Sequence, residues 1–231
     1  MPDSLTDAKR LLIQAGAVLA FIGHGDMTRG HVSMRVPGRP DLFLMKSHST
    51  GLDEMTMDNI LTIGLDGAVV EGTAKRHSEV FIHSEIYAAR PDVGAVTHTH
   101  PAQVVAFAAT GRALRPLCQG GALFAGRLPV FEATMDLIRT AAGGRAVADA
   151  LGEHQAVAMR GHGLTMTGRT VQEAVVGGVM LEEAARVQLL AEAAGALAAD
   201  YPAEDVASLR EKLRSPEQFE VNFAYLARRA R

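Results

Sequence analysis

Cysteine is almost missing from this chain. Cys118 stands alone, so neither an internal disulfide nor a thiolate-rich zinc site can form. Tryptophan is absent and aromatic residues make up only 5% of the sequence. Lysine and arginine are scattered rather than gathered into a stripe, and the net charge is -3, which removes the basic, aromatic-bearing surface used to bind nucleic acid. No apolar run approaches the ~20 residues of a membrane-spanning helix. Residues 11–22, behind Lys9 and Arg10, superficially resemble a signal peptide. Acidic Asp3 and Asp7 sit where such a leader is basic, and Gly23-His24-Gly25-Asp26 follows instead of a small-residue cleavage site. A cytoplasmic protein is the expectation, in keeping with the single thiol.

What is present suits an ordinary globular fold: 231 residues, 48% hydrophobic and 21% charged. No repeat, linker or charge block divides them, so the expectation is one domain over 1–231 with a polar, partly helical tail from about residue 201. Ser4, with Asp7 three residues on, predicts a helix start, and Leu11, Leu12, Ala15, Val18, Leu19 and Ile22 share one face. Gly-rich turns bracket strands at 31–36, 42–45, 60–63 and 68–70. A helix is predicted over 78–90, a strand over 93–97, a helix over 102–109, an extended run at 128–131 and a helix over 134–151. Strands at 156–159 and 164–166 precede a long helix from Thr170, capped with Glu173, to about Ala199. Gly177 and Gly178 within it allow close packing against the sheet or another subunit. The sum is an α/β layered domain, helices flanking a central sheet of mixed strands.

The chemistry-bearing segment is Thr97-His98-Thr99-His100-Pro101. Positions two apart on a strand face the same side, so His98 and His100 present both imidazoles to one small volume. Two histidines at a strand end are common, and alone they are weak grounds for a metal. His162, between Gly161 and Gly163 at a break between strands, adds a third candidate, and three histidines with an open fourth position make the catalytic pattern of metal binding. Glu79 contributes a carboxylate at the start of the preceding helix, as ligand, acid or base, or simply as a complement to the helix dipole.

In the order Ser78-Glu79, Arg90-Pro91-Asp92-Val93, His98-Thr99-His100 and Gly161-His162-Gly163-Leu164, with Leu65-Asp66-Gly67 and Val70-Glu71-Gly72 upstream, the chain resembles the class II aldolase/adducin family. That resemblance implies a three-layer α/β/α domain with a largely antiparallel sheet, assembled as a C4 homotetramer with the metal near a subunit interface. It implies His98, His100 and His162 as metal ligands, and Glu79 as the acidic residue that binds the resting metal or exchanges protons with substrate. A chelated substrate then loses a bond next to its coordinated oxygen, the cation acting as Lewis acid. Zinc and manganese are the leading metals; iron and cobalt also suit such ligands.

Sugar-phosphate members of the family carry Gly-Asn, Ser-Gly and Ser-Ser pairs that hold phosphate. The matching places here read Gly30-His31, Thr50-Gly51 and His77-Ser78. The bulkier His31 and His77 intrude on a phosphate's space, and Arg29, Lys46, His48 and Arg76 lie nearby in sequence. Imidazoles and cations suit planar carboxylates, which arginine meets with a bidentate fork. The pattern resembles the branch containing hydroxymethylpyridine-dicarboxylate and dihydroxyphthalate decarboxylases. It implies decarboxylation of a hydroxylated aromatic or heteroaromatic (di)carboxylate, with Glu79, Arg29 and His31 catalytic and Arg29, His31, Ser49, Thr50, Gly51, His77 and Ser78 contacting substrate. The alternatives are an aldolase or epimerase acting on a hydroxyacid or sugar phosphate, an adducin-type scaffold, and a binding module for a small acid. Tyr225 falls where family members send a tyrosine to an active site, though a core or interface aromatic beside Phe219 and Phe223 is the plainer reading. His83 reads as buried and hydrogen-bonded, and Asp26, in the His24 turn, as a group that orients pocket residues.

Overall fold

A computed structural model describes residues 4–230. Helix α1 (Leu5–Leu19) starts where the sequence predicts, with the Ser4 hydroxyl accepting the Asp7 N–H. Its buried stripe is Ala8, Leu12, Ala15, Val18 and Leu19, with Leu11 and Ile22 only partly covered. One wide turn (Ala20–His24) carries the chain into β1 (His31–Val36) and β2 (Arg39–Lys46). Strands β3 (Ile60–Gly64) and β4 (Val69–Glu71), helix α2 (Val80–Ala89), strand β5 (Ala95–Thr99), and helices α3 (Ala102–Ala109) and α4 (Gln119–Phe124) follow. The rest is β6 (Val130–Phe131), α5 (Ala141–Leu151), β7 (Ala156–Met159), β8 (Gly163–Gly168), α6 (Val171–Ala194), α7 (Ala203–Leu213) and α8 (Pro216–Arg229).

Eight strands form one sheet in the order β4-β3-β2-β1-β5-β8-β7-β6, antiparallel except for the β6–β7 pair. Alternation along each strand sorts side chains to two faces. Val96, Val157 and Met159 pack with α2 and α5 on one face; Val32, Met34 and Ala95 pack with α1, α6 and α8 on the other. There Phe219 and Phe223 of α8 are buried, so part of the tail belongs to this core. The result is the expected α/β/α layering.

Three expectations need correction. Helix α5 begins only at Ala141, where the Thr140 hydroxyl accepts the Gly143 N–H; residues 132–140 are largely loop, tied down by the Ile138 N–H that donates to Glu79. Helix α6 stops at Ala194, capped by Gly195, short of Ala199. Helix α4 went unpredicted, because its sequence is Gly-rich; packing on α6, where Gly120 lies against the Met180 carbonyl, and the Cys118 cap hold it. Gly177 and Gly178 do serve close packing within the chain, against Met166 and the His24 ring.

Candidate metal centre and substrate cleft

Register builds the site. His31 on β1 pairs with His98 on β5, and His98 pairs with Thr165 on β8, placing three polar residues in one row across three strands. All three face α2 and α5. His100 lies just past the end of β5, and His162 just before β8. The turn before β8 needs a left-handed residue at Gly161 (φ 70°) and a residue without Cβ at Gly163, whose added carbon would lie 2.6 Å from the Thr99 carbonyl oxygen. The two glycines that flank His162 thus bring its ring against the strand pair. Ring centroids stand 5.0 Å apart for His98–His100, 5.0 Å for His98–His162 and 5.6 Å for His100–His162. One ligand atom from each of the three lies within 4.8 Å of the others.

The hydrogen bonds behind the rings orient them. His98 Nδ1 sits 3.0 Å from the Thr165 hydroxyl, which itself donates toward the Met159 sulfur. With its own proton committed, Thr165 accepts from His98 Nδ1–H, leaving the Nε2 lone pair facing the cluster; this tautomer is assigned from the network. His100 Nδ1 lies 3.1 Å from Asp26 Oδ2, off-angle for a hydrogen bond, while Arg29 Nη2 donates to Asp26 Oδ1 at 2.7 Å. Asp26 thus links Arg29 to a candidate ligand. His98 Nε2 and both ring nitrogens of His162 are buried without any hydrogen bond. Such orphans are rare in folded proteins, and a divalent cation would partner them, so these residues fit a metal.

Glu79, at the N-cap of α2, does not cap its helix with its side chain. Its Oε1 accepts the Ile138 N–H at 2.9 Å and lies 3.5 Å from His162 Nε2, and its Oε2 lies 3.8 Å from His31 Nε2. Burial alone would raise this carboxyl's pKa; the His98 imidazole, the Ile138 amide and His162 reverse that and hold it below the ordinary value. Burial also pushes His98 far below the usual imidazole value and lowers His100 and His162. Each of these shifts favours the neutral ring, the form a metal requires.

Before this group opens a cleft of about 300 Å³, lined by Arg29, His48, Ser49, His77, Ser78 and Glu79, with His100, His162, Met135 and Leu137 opposite. That is the small end of ligand pockets. Three larger cavities, of 470, 550 and 810 Å³, contain no imidazole. Of the expected substrate contacts, Arg29, Ser49, His77 and Ser78 line the cleft; His31, Thr50 and Gly51 do not. His31 is fully buried, stacked on His98 with centroids 4.9 Å apart. Thr50 and Gly51 are held by hydrogen bonds to Ser47 and Glu54. Lys46 is a staple, its buried ammonium donating to the carbonyls of Thr28 and Thr50, with burial lowering its pKa to about 8. His83 is buried and hydrogen-bonded, whereas Tyr225 is half exposed. Thr165, Ile138, Met135 and Leu137 escaped the sequence reading. The last three lie in a segment predicted as helix, and Thr165 joins His98 only through strand pairing.

Comparison with known proteins agrees with this fold. The family model of the class II aldolase and adducin N-terminal domain matches residues 10–189. A 3,4-dihydroxyphthalate decarboxylase of Terrabacter sp. (strain DBF63) is 34% identical over 212 residues, covering 87% of this chain and 88% of that protein. A solved aldolase II superfamily protein from Pseudomonas syringae, 26% identical, superposes with a TM-score of 0.87 over 100% of this chain and 94% of its own. An L-fuculose 1-phosphate aldolase from Glaciozyma antarctica PI12, 25% identical, does so with a TM-score of 0.85 over 96% and 88%. The chain belongs to the class II aldolase and adducin family.

Proposed function

We propose that this protein is a metal-dependent lyase that decarboxylates a hydroxylated aromatic or heteroaromatic (di)carboxylate. The observation that carries the reading is the set of orphaned, neutral imidazole nitrogens beside a carboxylate held ionised, at the floor of a small cleft. The decarboxylase identical at 34% of positions supports this choice of reaction within the family. His98, His100 and His162 would hold the cation, zinc or manganese first, with Glu79 beside them. Bound there, the cation supplies Lewis acidity toward a substrate oxygen next to the breaking carbon–carbon bond.

The chain's own residues do the rest. Glu79, ionised at neutral pH, takes the proton of the substrate hydroxyl and returns it to the ring carbon that CO2 has left. Its orientation is set by the Ile138 amide, so the proton moves to and from a fixed oxygen. Arg29, at the mouth and steadied by Asp26, meets a second carboxylate. His77, in the cleft wall, occupies space that a phosphate would need. His31 acts from behind the ligands.

The aldolase reading has the L-fuculose 1-phosphate aldolase superposition in its favour. The deciding experiment is CO2 release from a panel of ortho-hydroxylated aromatic acids, with and without chelator and metal readdition, beside a sugar-phosphate cleavage assay. Turnover of an aromatic acid that disappears with chelator, and in His98→Ala together with bound metal, is the expected result. Sugar-phosphate cleavage without CO2 release from any aromatic acid refutes it. A cytoplasmic homotetramer completes the proposal; among the described residues no helix is long and apolar enough to cross a membrane. Exposed Phe21, Met27 and Met135 are apolar surface that another subunit would cover. Light scattering at a monomer's mass, 24.5 kDa, would count against it.

A further inference from the structure

Geometry alone offers this site a second cation. His31, His77 and Glu79 form another buried group with one ligand atom each within 4.8 Å, and His31 Nε2 is buried without a partner. What lies behind His31 argues otherwise. Its Nδ1 is 2.6 Å from His83 Nε2; His83 Nδ1 is 2.6 Å from the Ser33 hydroxyl; that hydroxyl is 2.8 Å from the Tyr87 hydroxyl. All four residues are buried.

We propose that Tyr87, Ser33 and His83 form a hydrogen-bond chain that pins the proton of His31 on Nε2, so that His31 meets Glu79 as a donor and is withheld from the cation. Both ends of the chain set its direction. The Tyr87 phenol keeps its proton, since burial raises its pKa, and Ser33 Oγ is the acceptor within reach. Ser33, accepting from Tyr87, gives its own proton to His83 Nδ1. His83 therefore carries its proton on Nε2 and donates to His31 Nδ1, which leaves the His31 proton on Nε2.

At the other end, His31 Nε2 faces Glu79 Oε2 at 3.8 Å. An N–H there is attracted to the carboxylate, whereas a lone pair would be repelled by it. The reversed chain would leave a phenol proton without an acceptor at one end and two facing lone pairs at the other. Tyr87, Ser33 and His83 are thus positioning residues. They keep His31 out of the ligand set and keep a donor aimed at the proton-transferring carboxylate. This role rests on the lyase reading above, but its test does not require turnover.

The test is nitrogen-15 NMR of the histidine rings in the full, zinc-loaded chain, with His31 and His83 assigned by loss of signals in His31→Gln and His83→Gln. Wild-type protein is expected to show His31 and His83 neutral with the proton on Nε2, and one zinc per chain. A proton on Nδ1 of either ring, or a second bound zinc, overturns the proposal. Ser33→Ala, folded by circular dichroism, should give mixed tautomers at His83 and His31. Its kcat should fall about tenfold at nearly constant KM with zinc retained, and Ser33→Thr should restore both. An unchanged single tautomer in Ser33→Ala overturns the chain's role. If Ser33→Ala fails to fold, the wild-type spectrum and Tyr87→Phe decide, the latter expected to admit a second tautomer. Correct tautomers without CO2 release would refute the decarboxylase reading and leave the chain standing.

Discussion

Gly163→Ala perturbs the candidate metal centre without replacing a proposed ligand. A Cβ at this position would sit 2.6 Å from the Thr99 carbonyl oxygen and 2.8 Å from His100 Cδ2. Ordinary contact begins at about 3.4 Å, so the strand pair must part by roughly 0.8 Å or the His100 ring must turn away. The Thr99 oxygen is backbone on β5, next to β8, and cannot swing aside as a side-chain tip would. Overpacking of this kind costs about 1–3 kcal/mol, which for a chain of this size lowers Tm by roughly 4–8 °C at the middle of that range. Displacing one ligand ring should also weaken zinc affinity roughly 10–100-fold. Differential scanning calorimetry on the metal-free protein and competitive zinc titration measure the two effects separately. A variant that melts with the wild type and binds zinc as tightly would refute the placement of His100 and Gly163 against each other, and with it the three-imidazole centre.

Other consequences can be checked more briefly. Glu79→Gln should keep its bound metal yet lose at least about 100-fold in CO2 release, because the amide cannot take and return the proton; full activity would remove that role. Metal-free protein should lose stability as pH falls from 6.5 towards 4. Burial lowers His24 to about 4, so the unfolded chain takes up a proton in that window that the folded chain refuses. The loss attributable to His24 is roughly 3 kcal/mol, and urea midpoints should fall less steeply with pH in His24→Phe; equal slopes would exclude the effect. Phe223→Ala should cost about 3 kcal/mol or more, since this ring is buried with Phe219 in the core that α1 and α6 share; an unchanged melting curve would show that α8 does not belong to that core.

Local patterns carried most of the fold into view. Short apolar runs between Gly-rich turns marked the strands, and the caps at Ser4 and Thr170 marked two helix starts, because those signals lie within a few residues of one another. His98 and His100 were legible together for the same reason: a strand's pleat puts neighbours two apart on one face. Where the sequence failed, the deciding contact was distant. Residues 134–140 look helical until the Ile138 amide is claimed by Glu79, and α4 is held by packing on α6 and by Arg210 of α7.

By itself, then, the sequence determined the layered α/β class, the His98–His100 pair, and the replacement of small residues by His31 and His77. Tertiary structure alone decided that Thr165 orients His98 and that Lys46 staples loops rather than meeting substrate. It also decided that His31 stands behind the ligands at the end of a buried chain. The physical reason is one and the same: a side chain's chemical type is written in one position, but its protonation, partner and exposure are set by groups that only strand register and helix packing bring within 3 or 4 Å of it.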